Sequence, residues 1–522
     1  MSRNRNSTTT LYLKLALSAF IPFSLVVLSP NLLEALEVNA REASSATQVK
    51  VSTVASDQFD SVRSLIKKRI VDEQIPSVAI AVARDGKILW EEGFGWADRE
   101  NRIPATEHTM YSLASVSKPL TATGLMVLAE RGKIELDRPI NDYLGEAKLK
   151  TRIGDPAKLT VRRVANHSAG LPLHYQFFYQ DEPHRTPSMD ETILRYGNVV
   201  TPPGEAFEYS NLGYGLLDYL ISRISTKSYA DFMREEVFLP LGMTHTSVNI
   251  GPGLEKHCAV RYGDDRLPIP FYDFDHRGAS AIYGSAHDLV KFGMFHLKAH
   301  LPDQKAILND AAIETMQEPT INIGKESGYG IGWGIFKRKS GHKVVWHTGG
   351  MGGVATALRL IPSEKIAIVA LTNSSSTVVF QVTEAITAIL LGESPGASPQ
   401  VNKPSDSPQF KPPAQLVGLW EGIVHTHVQD LPFVLRIDES GDIHARLGDQ
   451  LWTVVNQPVF TNETLTGQMS GDIGAEDANR RPYSLHLKLK LRGNTLNGTV
   501  AALSLPGKRV GNALSNWAEL KR

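Results

Sequence analysis

The chain has a single cysteine, Cys258, among 522 residues. That excludes an internal disulfide framework and a multi-cysteine zinc site. His257 beside it is no partner, because adjacent side chains on a helix or strand point apart, and Cys258 reads as packing material. Net charge is lacking as well: 55 Lys and Arg balance 55 Asp and Glu. Without a basic excess there is no general electrostatic footprint for nucleic acid or for an anionic membrane surface. Apolar residues are not scarce. At 42% apolar and 21% charged, the composition is that of folded globular structure rather than disorder. At ~100–200 residues per domain the length accommodates two or three units.

Residues 1–40 read as a signal peptide. Arg3, Arg5 and Lys14 make a basic start, and Leu15–Ser29 is an uncharged, largely apolar run of 15 residues. That is short for a membrane span, which needs ~20. Val38-Asn39-Ala40 offers a small residue for cleavage. The expectation is an exported protein, periplasmic or secreted; an uncleaved N-terminal anchor is the alternative, and it is the one membrane contact expected. Residues 41–55 are small and polar, a tether.

From residue 56 to 392 strand and helix signals alternate. Gln58–Asp72 shows helical spacing (Phe59, Val62, Leu65, Ile66, Ile70), and Asp85-Gly86 between Val78–Ala83 and Ile88–Glu92 signals a hairpin. Helices are expected over Ser115–Glu130, Thr160–Asn166, Leu212–Ile224 and Val378–Leu391, with strands at Val354–Ile361 and Ile366–Leu371. Strands at both ends and helices between them imply an antiparallel sheet packed by helices, an α/β (α+β) unit. Residues 393–415 form a linker rich in Pro and Ser. Beyond it the pattern is all β: Leu485, Leu487, Leu489 and Leu491 alternate with His486, Lys488, Lys490 and Arg492. Further strands are read at Trp420–Val424, Phe433–Asp438, Leu451–Val455 and Thr499–Leu503, so residues 416–522 form a small antiparallel barrel.

Three patterns carry chemistry. In Ser115-Val116-Ser117-Lys118 the i and i+3 positions share a helix face, so Lys118 brings an amine to the Ser115 hydroxyl. A serine needs a base to attack a carbonyl, and a desolvated lysine of lowered pKa can be one. The helix N-terminus adds free N–H groups for a developing oxyanion. Pro119 fits only the first helical turn, which places the helix start close by. The same spacing recurs at Ser64/Lys67 and Ser340/Lys343, on an amphipathic solvated helix and in a turn. Only the Ser115 pair leads into an apolar helix of small residues. Second, Tyr209-Ser210-Asn211 follows Pro202-Pro203-Gly204 and precedes a helix. A tyrosine near a lysine shuttles protons, and an amide can hold both the lysine and a substrate carbonyl. Tyr196-Gly197-Asn198 has the same form, but Tyr209 stands where a side chain can lean over a pocket. Third, in Trp346-His347-Thr348-Gly349-Gly350-Met351-Gly352-Gly353 glycines beside a strand let a substrate backbone approach N–H donors.

In this order the three resemble the penicillin-recognising serine hydrolases, and within them the class C β-lactamase-related family with its D-aminopeptidases, D,D-carboxypeptidases and esterases. Softer matches are Asn166-His167-Ser168-Ala169-Gly170-Leu171-Pro172, Tyr329-Gly330-Ile331-Gly332-Trp333, Ala286-His287-Asp288-Leu289 and Leu371-Thr372-Asn373. The resemblance spans residues 56–392. It implies a β-lactamase/transpeptidase-like sandwich with an all-helical region and the active site between them. It also implies a cofactor-free enzyme working through an acyl-enzyme. Ser115 would attack, Lys118 and Tyr209 would share proton transfer, Asn211, Thr348 and Gly349 would position substrate, and the N–H groups of Ser115 and Gly350 would hold the oxyanion. The barrel resembles lipocalin-like barrels appended to some D-aminopeptidases. The partner expected is a small-molecule or peptide substrate, cell-wall fragments included; the alternative is a non-turnover binder or scaffold using the same pocket.

Two departures matter. His347 stands where class C enzymes carry lysine, and an unperturbed imidazole is mostly neutral at pH 7. Substrates without an essential carboxylate are therefore expected, with weak β-lactamase activity. His174 stands where the related stretch ends in glutamine, and is either a pocket residue or a surface loop residue. Other motif matches carry less. Gly392-Glu393-Ser394-Pro395-Gly396 lacks the strand–turn–helix setting of a nucleophile elbow. His296 and His300, or His425 and His427, lack the further ligands a metal needs.

Overall fold

Asp85 and Gly86 both take left-handed backbone angles (φ 50° and 75°), the two-residue turn that matches strand twist, and so join β1 (Ser77–Arg84) to β2 (Lys87–Asp98). The computed structural model describes residues 57–394 and 410–522. The stretches read as signal peptide (1–40) and tether (41–55), and most of the 393–415 linker, fall outside the described residues. Among the described residues, no helix is long and apolar enough to cross a membrane.

With β3 (Ile103–Pro104), β4 (Ile321–Gly324), β5 (Ser327–Tyr329), β6 (Gly334–Lys337), β7 (Lys343–Met351), β8 (Val354–Ile361) and β9 (Ile366–Thr372), the hairpin completes a nine-stranded antiparallel sheet. Its order is β4-β5-β6-β7-β8-β9-β1-β2-β3, so the two ends of the domain meet at the β9–β1 pair. Helices cover both faces. Val78, Ile80 and Val82 of β1 pack with α1 (Asp60–Glu73) and the domain's last helix, Val378–Leu391, while Ala79, Ala81 and Ala83 join the core on the other face. That second face is covered by α2 (Ser117–Glu130) and Ala286–His296. Gly293 brings the latter helix close to the sheet, since a Cβ there would lie 2.9 Å from the Ala367 Cβ. Between β3 and β4 the longer regular elements are helices, among them α3 (Val161–Ala165), α4 (Asn211–Ser225), α5 (Arg277–Ser280) and Ala286–His296, which we call α6. Short strand pairs such as Phe177–Tyr179 with Tyr272–Phe274 interleave them.

The C-terminal part is a nearly closed nine-stranded antiparallel barrel, Gly418–His425 to Ala513–Lys521. Leu485, Leu487, Leu489 and Leu491 point into it, as their spacing requires. The strand expected at Leu451–Val455 shrinks to Thr453–Val454, and Leu451 is exposed. Strands Ile443–Leu447, Asn456–Thr461, Thr464–Met469 and Ala513–Lys521 complete the barrel.

Gln58–Arg522 clusters as one compact unit, so the barrel is built onto the sandwich rather than strung from it. The outward residues of Tyr483–Arg492 explain part of this: Lys488 pairs with Glu208 at 2.5 Å, and Lys490 and Arg492 both reach Glu205. Arg509 bonds Asp181 and Glu182, and Arg481 bonds Glu182. Tyr196, the competing Tyr-x-Asn tyrosine, is spent on this interface: its buried hydroxyl donates to the buried Asp477 of the barrel. Tyr196→Phe would take that donor from the carboxylate and leave Arg195, 3.8 Å away, as its ion-pair partner. A destabilisation of about 1–3 kcal/mol is expected, read as a lower midpoint in urea unfolding.

Candidate active site

Ser115 is held in a strained turn. Ala114 before it has φ 47°, a left-handed angle costly for a residue with a Cβ, and Ala114–Val116 is a 3-10 turn leading into α2. The α-helix thus starts at Ser117, two residues later than the spacing implies, and Lys118 lies in its first turn. Pro119 is tolerated there because first-turn N–H groups have no intrahelical acceptor.

Three hydrogen bonds of Lys118 define the cluster. The Lys118 Nζ lies 3.1 Å from the Ser115 Oγ, 2.8 Å from the Asn211 Oδ1 and 3.2 Å from the Ala279 carbonyl oxygen. The Tyr209 phenol lies close enough to the Ser115 hydroxyl to interact with it. Asn211 is the first residue of α4, whose N-cap Ser210 accepts from the Gly213 N–H, so Tyr209 is fixed just before the helix. The amine also sits 4.7 Å from the Tyr209 ring centroid and 5.6 Å from that of Tyr214. Among the described residues no carboxylate offsets this, so burial pushes the Lys118 amine far below the ordinary lysine range. Burial raises the Tyr209 phenol, which therefore keeps its proton at neutral pH.

His347 is buried on β7. Its Nδ1–H donates to the Thr348 carbonyl (2.8 Å), and its Nε2 accepts from the Tyr329 hydroxyl (2.9 Å). Burial and the nearby Lys118 lower its pKa to about 3, so it is neutral. β6 pairs with β7 only as far as Trp346, which leaves that edge of His347–Met351 free of a strand partner. Gly349 presses on the Ser115 turn: a Cβ there would sit 2.3 Å from the Leu113 carbonyl oxygen and 3.0 Å from the Ala114 Cβ. Thr348 is half-buried beside it, and Gly350 is exposed with open space at its Cβ position.

His174 lies in a loop that the fold buries. It is fully buried, its Nε2 2.6 Å from Asp275, with Tyr196 against its ring; the same carboxylate bonds His276 at 2.6 Å. Packing and the Asp275 bond account for its position. Tyr214 and the Ala279 carbonyl went unread in the sequence. The first sits inside α4 with only its spacing from Tyr209 as a signal, and the second is backbone and leaves no signal. His167 does more than its motif suggested. Its Nδ1 accepts the Ser210 N–H at 3.2 Å, and its ring lies 4.4 Å from Tyr209, so it braces the start of α4. His296 is tied to Thr123, and Glu393 to Arg338. In the conformers shown, no three His, Cys, Asp or Glu side chains among the described residues converge on a metal position.

A cleft of about 370 Å³ opens beside this cluster. Tyr209, Pro172, Leu173 and Val200 form one wall, and the outer face of the barrel, with His486, Thr499, Ala501 and Leu503, forms the other.

A mixed sandwich with a Ser-Lys-Tyr-Asn cluster between sheet and helices is the architecture of the β-lactamase and penicillin-binding-protein class. The Beta-lactamase family model matches residues 62–392, and the chain belongs to that family. It is 24% identical over 337 residues to Protein flp of Staphylococcus aureus (strain MRSA252), covering 63% of this chain and 66% of that relative's own length. In fold it is similar to the octameric penicillin-binding protein homologue from Pyrococcus abyssi (TM-score 0.57, 22% identity), over 88% of this chain and 99% of the other. It is also similar to a class C beta-lactamase (TM-score 0.55, 20% identity), over 65% of this chain and 97% of that one.

Proposed function

We propose that the protein is an exported serine hydrolase that works through an acyl-enzyme on Ser115. The observation that carries this is the coordination of Lys118. A neutral amine has two N–H donors and one lone pair. With Asn211 Oδ1 and the Ala279 carbonyl as the two acceptors, the lone pair is left for the Ser115 O–H. Ser115 attacks an acyl carbon while its proton passes to Lys118. Tyr209, neutral and beside Ser115, passes a proton to the leaving group and is refilled from Lys118. The N–H groups of Ser115 and Gly350 receive the oxyanion. Deacylation reverses the relay: water gives its proton through Tyr209 to Lys118, and Ser115 recovers its own. No step calls for a cofactor.

The substrates that fit are D-amino-acid amides and peptides, esters, and other acyl compounds without a required carboxylate, because neutral His347 supplies no cation for one. His347→Lys should raise the rate of acylation by penicillins about tenfold, measured by stopped-flow with a chromogenic β-lactam; an unchanged rate removes His347 as the cause of selectivity. The central test is intact mass after treatment with a fluorophosphonate, with Ser115→Ala alongside. One adduct on the wild type and none on the variant supports the reading. No adduct on folded protein turns it towards a non-turnover binder of cell-wall fragments. Export rests on the basic-then-apolar N-terminus, and N-terminal sequencing of the secreted or periplasmic fraction tests it.

A further inference from the structure

Four histidines with no part in the Ser115 chemistry meet at the edge of the sandwich. They come from four separate segments: His108 before the Tyr111–Ser112 strand, His245 before Thr246–Val248, His257 in the turn Glu255–His257, and His287 in the first turn of α6. Their rings form a continuous chain. The centroids of His287 and His108 are 4.7 Å apart, those of His108 and His245 5.2 Å, and those of His245 and His257 4.8 Å. The backbone beneath them is tied together: the His287 N–H donates to the Glu107 carbonyl, the Met110 N–H to the His257 carbonyl, and the His245 N–H to Asp288 at 2.7 Å.

The fold alone does not account for imidazoles gathered in this way. Protonated, they would repel; neutral, they offer several lone pairs in a small space. Two details point to a ligand. The His287 Nδ1–H donates to the Glu91 carboxylate at 2.8 Å, which fixes the tautomer and leaves the Nε2 lone pair free, the arrangement by which a carboxylate orients a metal-binding histidine. The His108 Nδ1 is buried and has no hydrogen-bond partner. Lys291, the lysine nearest Glu91 in effect, is engaged by Asp303 at 2.7 Å.

We propose that His108, His245, His257 and His287 form a binding site for one divalent transition-metal ion of the zinc, nickel or copper type, with Glu91 as its orienting carboxylate. Imidazole nitrogen suits these metals, whereas magnesium and calcium require oxygen. As the rings stand, no three donor atoms converge. The four side chains are only partly buried, and turning an imidazole about χ2, a broad torsion, is cheap. Closing the site would pin four separate segments to one another, and bound metal would raise the unfolding temperature by mass action.

The test uses untagged full-length protein stripped with a chelator and titrated with Zn²⁺ against a chromophoric indicator. One ion per chain is expected. His108→Ala/His245→Ala should abolish binding, and Glu91→Gln should weaken it by about 10- to 100-fold, the usual cost of losing an orienting partner. His425→Ala/His427→Ala, which alters the barrel's histidines, should leave binding unchanged. The proposal is overturned by no saturable binding, by binding that survives the His108/His245 variant, or by loss on changing His425 and His427. Labelling by the fluorophosphonate reports folding of each variant independently of metal, since none of these residues belongs to the Ser115 cluster.

Discussion

Methionine in place of Lys118 should lower the acylation rate of Ser115 by about 10²- to 10⁴-fold, the range that a positioned general base contributes. The measurement is fluorophosphonate labelling followed over time, with Ser115→Ala as the zero. The same variant reports on protonation. In the unfolded chain a lysine keeps its proton up to pH ~10.4, whereas the buried amine gives it up far lower. Between those two pH values the unfolded state binds more protons, so this residue makes stability rise with pH; below both, its contribution is constant. A methionine side chain cannot titrate, so the stability difference, wild type minus Lys118→Met, should grow as pH rises through the alkaline range. Enzyme activity follows the same equilibrium. It is lost as pH falls through the lowered pKa, since the protonated amine has no lone pair for Ser115. A wild-type rate that climbs only near pH ~10 would show a lysine charged at neutral pH, and the proton relay drawn here would fail.

The sequence revealed the parts of the site whose chemistry is written in local spacing. Ser115 with Lys118, and Tyr209 with Asn211, lie within single turns, so residue type and interval announce them, and the structure brings the two pairs together through the Lys118–Asn211 bond. What was hidden depends on long-range packing. The Ala279 carbonyl is positioned by α5, whose Gly278 N–H is held by Asp218 and whose Gly278 carbonyl takes a bond from Thr121. None of those residues carries a motif. His174 was singled out because it stands where the related stretch ends in glutamine, and only the fold brings Asp275 against it. The sandwich was legible from Asp85-Gly86 and from the apolar runs of β8 and β9, where both faces are buried. The barrel was legible where alternation is clean, as in Tyr483–Arg492. It was not in Thr464–Met469 or Ala513–Lys521, where Gly467, Ser515 and Asn516 interrupt the apolar pattern and cross-strand pairing supplies the order.

Ala501→Trp should separate the barrel's role in substrate choice from its role in stability. Ala501 lies on the outer face of its strand and lines the cleft that Tyr209 shares with His486, Thr499 and Leu503, so an indole there fills the space beyond the tyrosine without entering the barrel core. If substrate groups occupy that space, the variant excludes them. Loss of about 60 Å² of apolar burial is worth about 1.5 kcal/mol, a little over tenfold in kcat/KM. The loss should fall on KM for bulky D-amino-acid amides and esters, while labelling by a small fluorophosphonate, which needs only Ser115 and Lys118, stays as fast as in the wild type. Equal kinetics on all substrates would make the cleft an idle gap between two packed surfaces. Removing residues 416–522 is a cruder test, and we expect it to fail as a probe of specificity. It would strip Glu205, Glu208, Asp181 and Glu182 of their cations and uncover Tyr179 and Tyr196, so the sandwich would lose solubility before its selectivity could be read. A filled cleft keeps those contacts intact, so a change in KM there can be assigned to the wall that the barrel presents to the Tyr209 side of the site.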